Sequence, residues 1–272
     1  MQFNFTIPQA VAALALTLAG AAHAGPFAPA AGKPGSTAIS KSDASIAHWA
    51  TAYQNYLPGT GVDATWQTPG KALGQAVGDS YDIVTLGNHG SIVLSFGGNI
   101  VNGAGADFAV FENSFSDTFL ELGWVEVSSD GSNFFRFPNY SFTPSPVSAF
   151  GTVDPTNIDG LAGKYRQGYG TPFDLDLLQG TAGLDVNAVK YVRIIDIVGD
   201  GTALDSYPAS VGGPHVIHDP HKTTGSGGFD LDAIGVIHFA AASNVPEPSS
   251  LALLSLGGLL VAAAARRQRR SA

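Results

Sequence analysis

Val125-Glu-Val-Ser-Ser-Asp-Gly-Ser-Asn-Phe-Phe135 decides the fold class. Val125 and Val127 alternate with Trp124, Glu126 and Ser128, the period of two that puts successive side chains on opposite faces of a strand. Asp130-Gly131 then supplies a tight reversal before a second run at 133–137, so the stretch predicts a β-hairpin. The same alternation appears in Ile92, Leu94 and Phe96 and again in Val192 and Ile194. Strands are expected at about 81–86, 90–96, 106–111, 120–128, 133–137, 189–197 and 232–239. One element breaks the pattern: Ile46, Trp49, Tyr53 and Tyr56/Leu57 recur at helical spacing before Pro58-Gly59, which predicts one amphipathic helix packed on the domain. The 34 glycines and 16 prolines fit many turns and short strands. The expected architecture is all-β, a two-sheet sandwich of jelly-roll type.

Only 13% of the residues are charged, and residues 25–246 hold 9 basic and 21 acidic side chains, a net −12. Such a body repels nucleic acid and anionic lipid, both of which are held through Lys and Arg, and leaves neutral ligands and divalent cations open. The absence of cysteine excludes disulfides, Cys-ligated metals and a thiol nucleophile.

The two ends carry addresses. An apolar run from Ala10 to Ala22 leads into Ala22-His23-Ala24, a small-x-small site that predicts a signal peptide over 1–24 cut after Ala24. Residues 25–42, rich in Ala, Pro and Gly up to Thr37, read as a flexible leader to a domain over 43–242. A linker at 243–248 contains Val245-Pro246-Glu247-Pro248, and 249–272 is a hydrophobic segment ending in Arg266, Arg267, Arg269 and Arg270. From Leu251 to Ala265 that segment would span about 22 Å as a helix, short of the ~30 Å hydrocarbon core, which suits transient membrane anchoring. The order of Pro-Glu-Pro, hydrophobic stretch and Arg cluster resembles the PEP-CTERM sorting signal, also known as the ice-binding protein C-terminal domain. The resemblance implies export in a Gram-negative bacterium that makes exopolysaccharide. It also implies transient contact with the inner membrane and handling by an exosortase-type enzyme on the way to the cell surface or matrix.

Three pieces of the body, Val125 to Phe135, Val189-Lys-Tyr-Val-Arg-Ile194 and Gly228-Phe-Asp-Leu-Asp-Ala-Ile234, are similar to the hairpin, core strand and closing strand of carbohydrate-binding and discoidin-like jelly rolls. Gly105-Ala-Asp-Phe-Ala-Val-Phe-Glu-Asn113 and Tyr169-Gly-Thr-Pro-Phe-Asp174 also resemble a family of bacterial cell-surface proteins, many with PEP-CTERM tails. This implies location and fold rather than chemistry.

Asp230 and Asp232 fall on one face of an extended segment beside a Gly-rich loop, and paired carboxylates there need solvent or a cation. Calcium, which takes six to eight oxygens, is the candidate cofactor, with Asp107, Glu112 and Asp219 as further donors. The alternative is that Asp230 and Asp232 accept backbone N–H bonds. His215, His218 and His221 stand three apart on a Pro-containing loop and read as solvent-facing rather than as zinc ligands. Residues 138–183 read as a long, weakly patterned insertion. Its Tyr165, Arg166 and Tyr169 are candidate contacts for exopolysaccharide, since aromatic faces stack on sugar rings; the alternative is that its aromatics anchor the loop to the sandwich. No nucleophile elbow, phosphate loop or zinc-protease motif is present, so the expectation is a non-catalytic surface or matrix protein. Two further readings stay open: a ligand-free structural protein, and a polysaccharide hydrolase using a pair among Glu112, Glu121 and Glu126, the last expected to face solvent.

Overall fold

The computed structural model describes residues 25–242. The expected signal peptide with Ala22 and Ala24, the linker and the C-terminal hydrophobic segment lie outside the described residues.

Fourteen strands run in chain order: β1 (Ile39–Ser40), β2 (His48–Trp49), β3 (Ala52–Leu57), β4 (Val84–Thr85), β5 (Ser91–Ile100), β6 (Phe108–Glu112), β7 (Gly123–Ser128), β8 (Phe135–Arg136), β9 (Tyr140–Ser141), β10 (Ile158–Asp159), β11 (Tyr169–Phe173), β12 (Val189–Asp196), β13 (Asp230–Val236) and β14 (Phe239–Ala241). One six-stranded sheet has the order β1-β11-β6-β13-β2, with β4 also on β13; the other has β14-β5-β12-β7-β8, with β3 also on β5. β9 and β10 form a separate ribbon. The two large sheets close on a common core: Phe108, Val110, Leu231, Ile234 and Val236 from one meet Ile92, Leu94, Phe96, Val125, Val127, Val192 and Ile194 from the other. These are the inward members of the alternating runs, so the period in the sequence is converted directly into a two-sheet sandwich. The expected hairpin is β7-β8, with Val127 paired to Phe135 and Gly131 at φ +79°, a left-handed value that glycine takes without a Cβ penalty.

The expected helix over 43–57 is not formed. Trp49 belongs to β2 in one sheet and Tyr53 to β3 in the other, so the chain crosses between sheets at Ala50 and Thr51. Within β3 the register slips between Gln54 and Leu57, around Asn55 at φ +49°. An extra residue in a strand breaks the alternation and turns a spacing of two into three, which imitates a helical repeat. The helical turns present are short 3-10 turns, including Ala64–Trp66 and Pro69–Ala72.

The insertion and the leader are both folded down. Residues 169–173 form β11, an inner strand of the first sheet, despite Pro172. β1 pairs only with Gly170 and Tyr169, so Pro172 lies past its end, where no strand calls for its missing N–H. Val147, Val153, Ile158 and Leu161 join Leu120, Leu122, Ile197 and Ile217 in a second apolar cluster. The segment expected to be a flexible leader is held by stacking of Phe27 on Phe142 at 5.5 Å, by Arg166 donating to the Ala31 carbonyl at 3.2 Å, and by pairing of β1 with β11.

Candidate functional site

Antiparallel pairing brings the end of β6, the start of β13, the end of β12 and the start of β7 to one end of the sandwich. Each carries or adjoins a carboxyl group: Glu112, Asp230, Asp196 and Glu121, all buried, with buried Asp219 nearby. Burial pushes Glu121 well above the ordinary carboxylate range, reinforced by the charges of Glu112, Asp230, Asp219 and Asp196. Glu112 and Asp219 are likewise raised well above it, mainly by burial. Burial lifts Asp230 and Asp196 to about 7 each, against the hydrogen bonds that favour their charged forms. A carboxyl that keeps its proton near neutrality can donate as well as accept, which suits it to hydroxyl partners.

The carboxylates expected to share a calcium ion do not form one shell. Asp107 sits at the opposite end of β6, where it bonds His238 Nδ1 at 2.7 Å and accepts from the amides of Gly103 and Leu175. Asp232 is the extra residue of a bulge in β13, with Leu231 opposite Glu112 and Ala233 opposite Phe111. Its two oxygens accept from the backbone amides of Val77 at 3.0 Å and Gly78 at 2.8 Å, the alternative named above. Asp230 accepts from Thr85 Oγ1 and Asn113 Nδ2, Asp219 from the Leu122 amide, and Glu112 from the Ser114 amide. Among the described residues, no group of three or more His, Asp or Glu side chains is arranged to hold a metal ion. The five side chains are therefore not gathered into one donor set.

The candidate sugar contacts are also redistributed. Tyr165 is 1% exposed, and its hydroxyl pairs with Thr37 Oγ1 at 2.8 Å, so it anchors the insertion and offers no face to a ligand. Arg166 binds Asp117 at 2.8 Å and lies over the Tyr169 ring at 4.7 Å, covering it. Glu126, expected to face solvent, is buried under Arg136 and Arg193, both of which bind its carboxylate. The three spaced histidines have separate surroundings: His215 pairs with Asp205 at 3.1 Å, His221 with the Val147 carbonyl at 3.1 Å, and His218 Nδ1 has no partner.

Above the carboxyl cluster lies a cleft of about 230 Å³ that the sequence did not single out. Glu121, Asp230, Asn113 and Thr223 line it, with Thr223 donating to Glu121 at 3.2 Å. Its other walls are Trp66, Tyr81, Phe115, Phe119 and Phe150. Phe115 stacks on Phe119 at 4.7 Å, and Phe119 on Phe150 at 6.2 Å. Phe150 is 80% exposed, Tyr81 71% and Phe115 61%, so aromatic faces stand in solvent around a polar, acidic floor. Phe115 in Asn113-Ser-Phe-Ser-Asp117 was the available signal, a large apolar residue in an otherwise polar loop. A second hollow, about 420 Å³, runs along β11 between Phe137, Tyr140, Phe173 and Leu177 and is mostly apolar.

Residues 244–270 match the PEP-CTERM protein-sorting motif. No curated protein matches the chain. The motif marks the chain as exported and sorted to the surface or exterior, with an exosortase-type enzyme as its processing partner. The matched segment, including Val245 to Pro248, lies outside the described residues. Among the described residues, no helix is long and apolar enough to cross a membrane.

Proposed function

We propose that this PEP-CTERM-sorted protein is a non-catalytic surface or matrix protein whose jelly-roll body binds a neutral exopolysaccharide in the aromatic-rimmed cleft. The observation that carries this reading is the Phe115-Phe119-Phe150 stack, whose two outer rings Phe115 and Phe150 are exposed, lining one cleft with Glu121, Asp230 and Asn113. Sugar rings present an apolar C–H face and a rim of hydroxyls; the first matches the phenyl faces, the second the carboxyl, amide and Thr223 oxygens. Charge selects the class of glycan, because a body of net −12 repels uronate or sulfate polymers. Exposed phenyl rings weaken solubility without stabilising the fold, and a ligand surface accounts for them.

The test is retardation of the secreted protein in native gels that contain the neutral exopolysaccharide of the producing cells. Retardation is expected for the wild type and not for Phe150→Ala. Glu121 and Asp230 sharing one cleft favours hydrolysis as the second reading; that reading requires new reducing ends that disappear in Glu121→Gln.

A further inference from the structure

The first residue after the Ala22-His23-Ala24 site is bound as closely as any residue of the core. Gly25 N lies 2.6 Å from Thr156 Oγ1. A Cβ at position 25 would be driven into the Thr156 carbonyl oxygen and Asn157 Oδ1, so a side chain there is excluded by backbone as well as by side chain. Those two oxygens crowd the Gly25 Cα, while Thr156 Oγ1 accepts from its nitrogen. Thr156 Oγ1 in turn donates to Asp154 Oδ1 at 2.7 Å, which places a carboxylate one hydroxyl behind Gly25. Two residues on, Phe27 N donates to the Thr156 carbonyl at 3.0 Å, and the Phe27 ring stacks on Phe142 and Tyr140. The strap continues through Ala31, buried and held by Arg166, to Thr37 on the Tyr165 hydroxyl.

An amide nitrogen inside a longer chain has one N–H and no charge, and Thr156 Oγ1 alone would satisfy it. A hydroxyl backed by a carboxylate, with two further oxygens beside the Cα, offers more acceptors and more negative charge than one amide uses, and suits a primary ammonium with three donors and a positive charge. We propose that Asp154, Thr156 and Asn157 form the docking site for the protein's own mature α-amino group, created by leader removal between Ala24 and Gly25. In that cleavage, water adds across the Ala24–Gly25 peptide bond. The leader leaves with the Ala24 carboxylate, and Gly25 keeps its nitrogen and takes up a proton. The new ammonium then fastens the 25–37 strap across the aromatic layer of Phe27, Tyr140 and Phe142. Processing thereby completes the fold, and glycine is required at the first mature position because no other residue fits between Thr156 and Asn157. This inference depends on export and not on the glycan cleft.

The experiment uses protein secreted through its own leader. Mass spectrometry is expected to place the first residue at Gly25; a mature terminus elsewhere overturns the proposal. A second protein, with Ala-Ser inserted between Ala24 and Gly25, carries a short extension after processing. It is expected to melt lower by about 2–6 °C. Thr156→Val is expected to lower the wild type similarly and to add little in the extended protein, because both remove the same contact. The Gly25 amine should react with an acylating reagent at least ~10-fold more slowly in the wild type than in Thr156→Val, a protection that a merely structural threonine would not confer. An extended protein that melts with the wild type, or equal acylation rates, overturns the docking site.

Discussion

Phe115 lies 4.7 Å from Phe119 with the rings 14° from parallel, yet Phe115 is 61% exposed while Phe119 is nearly buried. The buried ring belongs to the fold, and the exposed one extends it as a platform. Phe150, at 80% exposure, extends the same platform on the other side. Side chains this open contribute little to stability, so Phe150→Ser is expected to change the unfolding free energy by no more than about 0.5 kcal/mol. Urea denaturation checks this; a loss of 2 kcal/mol, on the order of a core truncation, would make Phe150 a packing residue.

Tyr165 should behave in the opposite way. It is fully buried and tied to Thr37, and Tyr165→Ala removes a ring's worth of packing. The expected loss is about 3–5 kcal/mol, with about 1 kcal/mol for Tyr165→Phe, which removes only the hydroxyl bond. Denaturation midpoints of the two variants measure both, and glycan binding by folded Tyr165→Phe should be unchanged.

The buried carboxyls set a pH dependence of definite sign. Asp196 is raised to about 7 and Glu121 well above its ordinary range, each mainly by burial, so the folded state holds protons that the unfolded chain releases near pH 4. Their stabilisation is full below the unfolded value and is lost as pH rises through the folded one. Melting temperature is therefore expected to fall between about pH 4 and 7, with each group contributing up to about 1.4 kcal/mol per pH unit. Asp196→Asn should flatten the profile; a melting temperature that rises over this window would contradict the assignment. Lys164, whose amine burial lowers to about 8, acts only at higher pH and in the opposite direction.

On the outer face of the second sheet, Glu126 is shared by Arg136, at 2.8 Å, and Arg193. Each arginine also covers an aromatic ring, Arg136 over Trp124 at 4.1 Å and Arg193 over Phe134 at 4.0 Å. Glu126→Gln leaves two guanidinium groups with a neutral partner. The expected loss is about 1–2 kcal/mol, larger than for an isolated surface pair because the carboxylate itself is buried. Thermal unfolding at low and high salt measures it; equal melting of variant and wild type in both would show that the network is only decorative.

Strands whose inward residues alternate without interruption were legible: β5, β7 and β12 stand where Ile92, Val125 and Val192 place them. What was not legible came from local irregularity. The slip at Asn55 disguised β3 as a helix. β11 was hidden by Pro172, tolerated only because β1 is two residues long. The acidic floor was partly legible, since Glu112, Glu121 and Asp230 stand out in a body with few charges. Its aromatic rim was not, because Trp66, Tyr81, Phe115 and Phe150 come from separate loops that only the closed sandwich brings together.

The most direct test of the central claim is the electrophoretic mobility of the secreted protein in native gels with increasing neutral exopolysaccharide, beside Phe150→Ala and Phe115→Ala. The account predicts saturable retardation of the wild type and at least ~10-fold weaker binding in either variant, about 1.4 kcal/mol, with melting temperatures unchanged. Equal retardation of all three proteins, or of none, would contradict it.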